Sequence, residues 1–151
     1  MIHSVISLFS ILSVLFSCSF DENNENTVQN NTVMTSNRLI VKIGAKTFDA
    51  TLLDNPTATA FKALLPLTIN MKELNGNEKY ADLSKKLVTH ASNPAAIETG
   101  DIMLYGSNTI VVFYKSFSTS YSYTKLGYIN NITGFAEAVG SGNVTVTFEL
   151  E

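Results

Sequence analysis

Tryptophan is absent from the chain, cysteine and arginine occur once each, and these scarcities remove whole classes of chemistry. A single cysteine, Cys18, can form no internal disulfide and cannot build a thiolate zinc cluster. A single arginine, Arg38, among only ten basic residues and against a formal net charge of −3, leaves no basic footprint for a nucleic-acid backbone. The HExxH, EF-hand, phosphate-loop and dinucleotide signatures are all missing, so no metal or other cofactor is expected. What remains is a chain of 151 residues with 45% apolar content, enough for one core and too short for two full domains. Tyr and Phe are plentiful, and Thr, Val and Ile gather in short runs, which tilts the composition toward β-sheet.

The N-terminus reads differently from the rest. Residues 1–17 form a short apolar run, too brief for the about 20 residues of a bilayer span and placed where an exported protein carries its signal peptide. Leu15-Phe16-Ser17-Cys18 follows the order of a bacterial lipobox, in which the cysteine thiol is lipidated and becomes the new N-terminus. The competing reading is a signal cleaved elsewhere, with Cys18 discarded or left as a free thiol. Lipidation implies a membrane partner held firmly through three acyl chains, where one chain alone would bind only marginally. It also implies the bacterial cell envelope, at the outer membrane, facing either the periplasm or the surface. Residues 18–37 are Asn-rich and apolar-poor and read as a disordered tether. Asp21 and Glu22 within it resemble the export signal of surface lipoproteins in Bacteroidetes-type bacteria, and a plain solvated linker explains the same residues.

Order is expected from Arg38 to Glu151. Arg38–Ile43 and Thr47–Leu52 alternate around Gly44-Ala45-Lys46 and read as a hairpin. A helix of roughly two turns is predicted over Thr57–Leu65, capped by Asn55 or Thr57 and ended by Pro66. Leu67–Lys72 alternates as a strand, Glu73–Glu78 reads as a polar loop, and Lys79–Leu83 as a short strand. Ser84–Thr99 reads as an irregular connection into a central hairpin, Ile102–Tyr105 and Thr109–Tyr114, which turns on Gly106-Ser107-Asn108. Leu126–Ile129 follows as a strand, Ile132–Val139 as a second short helix before Gly140, and Asn143–Leu150 as a final strand with Val144, Val146, Phe148 and Leu150 on one face. About eight short strands and two short helices without βαβ spacing predict a mainly β fold, a closed or nearly closed barrel that leaves no exposed edges.

Several separated words occur in a particular order: Asp54-Asn55-Pro56-Thr57-Ala58, Leu65-Pro66-Leu67, Leu74 to Tyr80, Gly100 to Tyr105, and Phe113 to Ser118. In that order they resemble the bacterial cyclophilin-like domain family over residues 38–151. The resemblance implies a cyclophilin-like closed β-barrel capped by helices. True cyclophilins are peptidyl-prolyl isomerases that place an arginine on a barrel strand beside a groove. Here the strand that aligns with it, Leu67–Lys72, offers Thr68, Asn70 and Lys72, so the fork that polarises the prolyl amide is missing.

The candidate groove is therefore aromatic. Asn70, Lys72, Glu78, Tyr80, Tyr105, Phe113, Tyr114, Tyr121 and Tyr123 are its candidate ligand-binding residues. Rings supply apolar area, and hydroxyls among interleaved serines supply directional bonds, which suits a peptide or small-molecule partner. Alternation sends Phe113 and Tyr114 to opposite faces, one inward and one toward the groove or solvent. Glu78 is either a general base or a solvated loop residue, and His90 has no nucleophile motif near it. No catalytic residue is assigned. The two functions left open are a non-enzymatic binding module and a weak, divergent isomerase of exported proteins, separated by whether Lys72, Lys79 or Lys115 reaches the groove floor; the oligomeric state is left open too.

Overall fold

The computed structural model describes residues 36–151, so the leader, Cys18 and the tether as far as residue 35 lie outside the described residues. The elements are β1 (Arg38–Ile43), β2 (Lys46–Leu52), α1 (Pro56–Lys62), β3 (Leu67–Leu74), β4 (Glu78–Asp82), β5 (Ala96–Ile97), β6 (Asp101–Tyr105), β7 (Thr109–Phe113), β8 (Phe117–Ser118), β9 (Thr124–Ile129), α2 (Phe135–Val139) and β10 (Val144–Leu150). Eight strands close into a barrel in the order β1-β10-β3-β4-β7-β6-β9-β2, all neighbours antiparallel, and β5 with β8 forms a separate two-stranded piece. Closure removes the unpaired edges that so many short strands would otherwise expose.

Period-two alternation decides which residues fill the barrel. Leu39, Val41 and Ile43 of β1, Ile110 and Val112 of β7, and Val146 and Phe148 of β10 all point inward and are buried. The two helices add one ring each: Phe61 meets Phe148 edge-on at 5.7 Å, and Phe135 meets Phe48 edge-on at 5.2 Å. Asn55 settles the capping of α1, since its Oδ1 accepts from the Ala58 N–H at 2.8 Å while its Nδ2 donates to the Lys125 carbonyl at 3.0 Å. The helix stops at Lys62, short of the predicted Leu65. Leu64 and Leu65 donate to the carbonyls of Phe61 and Lys62, a tighter three-residue winding that ends the helix before Pro66. Between β2 and β9 the backbones come so close that a Cβ on Gly127 would lie 2.3 Å from the Thr51 carbonyl oxygen, and only glycine fits there.

A second, smaller cluster lies on the outside of the barrel. Met103, Val111 and Phe113 project outward from β6 and β7 and are buried under Ile97 and Tyr123, with Phe117 and Tyr80 packed alongside. The cover comes from two irregular segments that meet each other: Ile97 pairs with Phe117, and Ser92 bridges Tyr123. The stretch 84–99, expected to be irregular, is so over most of its length, and its one short strand serves this cover.

Candidate functional site

The turn after β3 positions the site. Asn75 and Gly76 both adopt positive φ, 55° and 69°, and the Asn77 N–H closes back on the Leu74 carbonyl at 3.3 Å. Asn and Gly tolerate that conformation, and the reversal sets Leu74 opposite Glu78, Glu73 opposite Lys79 and Lys72 opposite Tyr80. Alternation along β4 then sends Glu78, Tyr80 and Asp82 to the outer face and Lys79 and Ala81 to the inner one. On the outer face β7 brings Val111 beside Tyr80 and Thr109 beside Asp82, and β6 brings Tyr105 beside Thr109.

These outer-face residues, with Leu74, Asn75, Phe117, Tyr121 and Tyr123, line a half-open cavity of about 390 Å³, within the usual range of about 300 to 1,000 Å³ for a small-molecule site. Its rings form a connected set. Tyr105 stands edge-on to Tyr121 at 6.2 Å and tilted to Tyr123 at 5.6 Å, and Tyr123 continues edge-on to Phe113 at 5.5 Å. Tyr123 is only 7% exposed and forms the deep wall, whereas Tyr105 at 47% and Tyr121 at 62% stand at the rim.

Two carboxylates face this cavity. Asp82 accepts from the Thr109 hydroxyl at 2.7 Å. Glu78 is 8% exposed, and its carboxylate has no hydrogen-bond partner or cation among the described residues. Burial first, and then the nearby charge of Glu73, push the Glu78 carboxyl above its ordinary value. Burial and the charge of Glu78 push the Tyr123 hydroxyl up in turn. Among the described residues, no lysine, arginine or histidine lines the cavity.

The inner face of the same two strands is organised in the opposite way. The Lys79 side chain is almost wholly buried, and its ammonium donates to the Glu73 carboxylate, to the Gly140 carbonyl at 2.9 Å and to the Gly142 carbonyl at 2.6 Å. All three of its donors are used. Glu73 also accepts from the Tyr114 hydroxyl, 2.9 Å from each of its oxygens, and from the Gly76 N–H at 2.8 Å. Burial raises the Glu73 carboxyl, but the hydrogen bonds from Lys79, Tyr114 and Gly76, with the Lys79 charge, bring it below its ordinary value. Tyr114, buried and bonded to that carboxylate, is pushed up to about 12.

Among the residues expected from sequence, the cavity brings together Glu78, Tyr80, Tyr105, Tyr121 and Tyr123. Phe113 does not line it but lies beneath, fully buried against Phe117 and Tyr123. Tyr114 belongs to the inner network with Glu73. Neither Phe113 nor Tyr114 is open to the groove, because the cover from 92–97 and 117–123 buries one and the Glu73 network buries the other. Asn70 is exposed and faces Thr145 across β10, and Lys72 is exposed beside Tyr80 without lining the cavity. Arg38 pairs with Glu151 at 2.5 Å on the surface. Sequence reasoning missed Leu74, Asn75, Asp82, Thr109 and Val111, and the Asn75-Gly76 dipeptide was the signal that could have found the first two. Among the described residues no cluster of three His, Cys, Asp or Glu could hold a metal ion, and no helix is long and apolar enough to cross a membrane.

A closed antiparallel barrel of eight strands with two short helices defines the class, a cyclophilin-type β-barrel. Residues 41–149 match the sequence model of the cyclophilin-like family, and the chain belongs to that family. The solution structure of the hypothetical protein AF2241 from Archaeoglobus fulgidus is similar in fold, with a TM-score of 0.52 and 16% identity over 78% of this chain and 96% of that one. No curated protein matches the chain.

Proposed function

We propose that the barrel is a non-enzymatic binding module, held at the bacterial envelope through lipidated Cys18, that presents its tyrosine-walled cavity to a peptide or small ligand. The observation that carries this reading is the outer-face cavity itself: apolar rings, two carboxylates and enough volume for a ligand. Prolyl isomerisation is the second reading, favoured by family membership alone. It requires a cationic donor at the prolyl amide. Lys79 has spent its three donors on the inner face, and Lys115 stands over the Tyr114 ring at 5.8 Å, beside the inner network. Only Lys72, exposed next to Tyr80, is left on the cavity's side of β3.

The test is an NMR titration of the full chain in detergent micelles with short proline-containing peptides. Shifts confined to the Tyr80, Tyr105, Tyr121 and Tyr123 rings, together with prolyl exchange at the uncatalysed rate, are the expected result. Exchange accelerated by the protein and abolished in Lys72→Ala would replace the binding reading with the isomerase. Intact mass of the membrane-extracted protein tests the anchor, which an N-terminus other than acylated Cys18 would rule out.

A further inference from the structure

Resting on the reading of the cavity as a binding site, we infer that its ligand presents an organic ammonium group on an aliphatic stem, either a small amine or a lysine side chain of a peptide. Glu78 is the starting point. Glu78 is 8% exposed as a residue, and its partly desolvated carboxylate, without a hydrogen-bond donor or a cation among the described residues, is costly to leave unpaired. Here its open side faces the cavity. Lys79, its immediate neighbour in sequence, points to the opposite face and is fully occupied there, so that ammonium is withheld. A ligand that carries its own positive charge supplies the missing partner.

The walls fit the same chemistry. Tyrosine faces attract cations through the ring quadrupole, and Tyr80, Tyr105, Tyr121 and Tyr123 all border the cavity. Leu74 and Val111 supply apolar surface for a stem, and Asp82 adds a second negative charge four residues farther along the same strand. An anion is disfavoured by both carboxylates. A metal ion is disfavoured too, because hard divalent cations want six or more oxygen ligands, and Glu78 and Asp82 stand at opposite ends of one extended strand, about 13 Å apart. Glu78 with the four tyrosines suits a single organic cation.

The groups that face Glu78 also set a pH dependence. On its own side of the sheet these are Asp82 on the same strand, Lys72 from β3 and the hydroxyls of Tyr80, Tyr105, Tyr121 and Tyr123, while Glu73 acts on it by charge from the opposite face. Glu78 must be ionised to bind, and its carboxyl titrates above the ordinary glutamate range, so binding weakens as pH falls through that raised value.

The experiment is an NMR titration of the full chain in micelles with n-butylammonium, Gly-Gly-Lys-Gly-Gly, and their uncharged counterparts n-butanol and the ε-acetylated lysine peptide. The expected result is that the charged member of each pair binds at least tenfold more tightly and moves the Tyr105 and Tyr123 rings. Glu78→Gln should lose that preference, as should Asp82→Asn to a lesser degree. Unchanged amide dispersion in the free Glu78→Gln spectrum separates lost binding from unfolding. A lysine peptide that binds more tightly than butylammonium identifies a peptide source, the reverse a small amine, and either supports the inference. Neutral members binding as well as charged ones, or Glu78→Gln binding butylammonium unchanged, would overturn the inference while leaving the binding module intact. If no probe here and no proline peptide moves the cavity rings, both readings fall.

Discussion

Glu73 and Glu78 sit on adjacent strands of one hairpin, five residues apart in sequence, and meet opposite fates. Glu73 faces inward, where Lys79, Tyr114 and the Gly76 N–H satisfy it. Glu78 faces outward into a ring-walled cavity with no donor among the described residues. The hairpin register produces this contrast, because Glu73 opposes Lys79 while Glu78 opposes Leu74. A polar network is stabilising when every member is paired and costly when one is not. The inner face therefore helps hold the barrel together, while the outer face leaves a carboxylate unpaired among the described residues.

Substitutions can break this comparison from the inner side first. Lys79→Met should cost about 3 kcal/mol of stability in chemical denaturation, because it strands the Glu73 carboxylate and leaves two carbonyls without their donor. Tyr114→Phe removes one hydrogen bond to a charged group and should cost about 2 kcal/mol by the same measurement. On the outer side the sign reverses. Glu78→Gln should stabilise the protein at neutral pH, by less than either loss, since the buried charge it removes has no partner. Because the folded-state carboxyl of Glu78 is raised, its penalty is full above that value and is lost as pH falls from it to the unfolded value, so the gap between the wild type and Glu78→Gln should narrow over that interval. Glu73 is depressed instead, so its contribution is present above the unfolded value and is lost as pH falls through the folded one. The smallest effect belongs to Tyr121→Leu at the rim, 62% exposed, which should change stability by no more than about 0.5 kcal/mol while weakening butylammonium binding.

Much of the barrel was legible because its signals are local. Val146 and Phe148 alternate with polar residues and are buried as that pattern requires, and Gly140 ends α2 where a helix stop was expected. The hairpin from Ile102 to Phe113 falls where its β-rich runs and Gly106 turn place it. The site was legible only in part. Five of its residues follow from ring density and loop context, but the residues around them depend on contacts distant in sequence. Phe113 and Tyr114 do lie on opposite faces, yet alternation could not reveal that Phe117 and Tyr123 fold back over the outer one. Nor could it show that a lysine would be buried, since Lys79 is held by carbonyls 61 and 63 residues away. The stretch from Glu73 to Glu78 read as a loop because of its polarity. Its Asn75-Gly76 pair instead folds it into a tight turn that makes Glu73 and Glu78 strand residues with defined faces.

The contrast between the two carboxylates can be measured directly by following the side-chain carbons of Glu73 and Glu78 through a pH titration of the full chain by NMR. Glu78 should titrate above the ordinary glutamate value and Glu73 below it. Glu78 titrating at or below the ordinary value would mean that its charge already has a partner, and the cavity would have no unmet charge to offer a ligand.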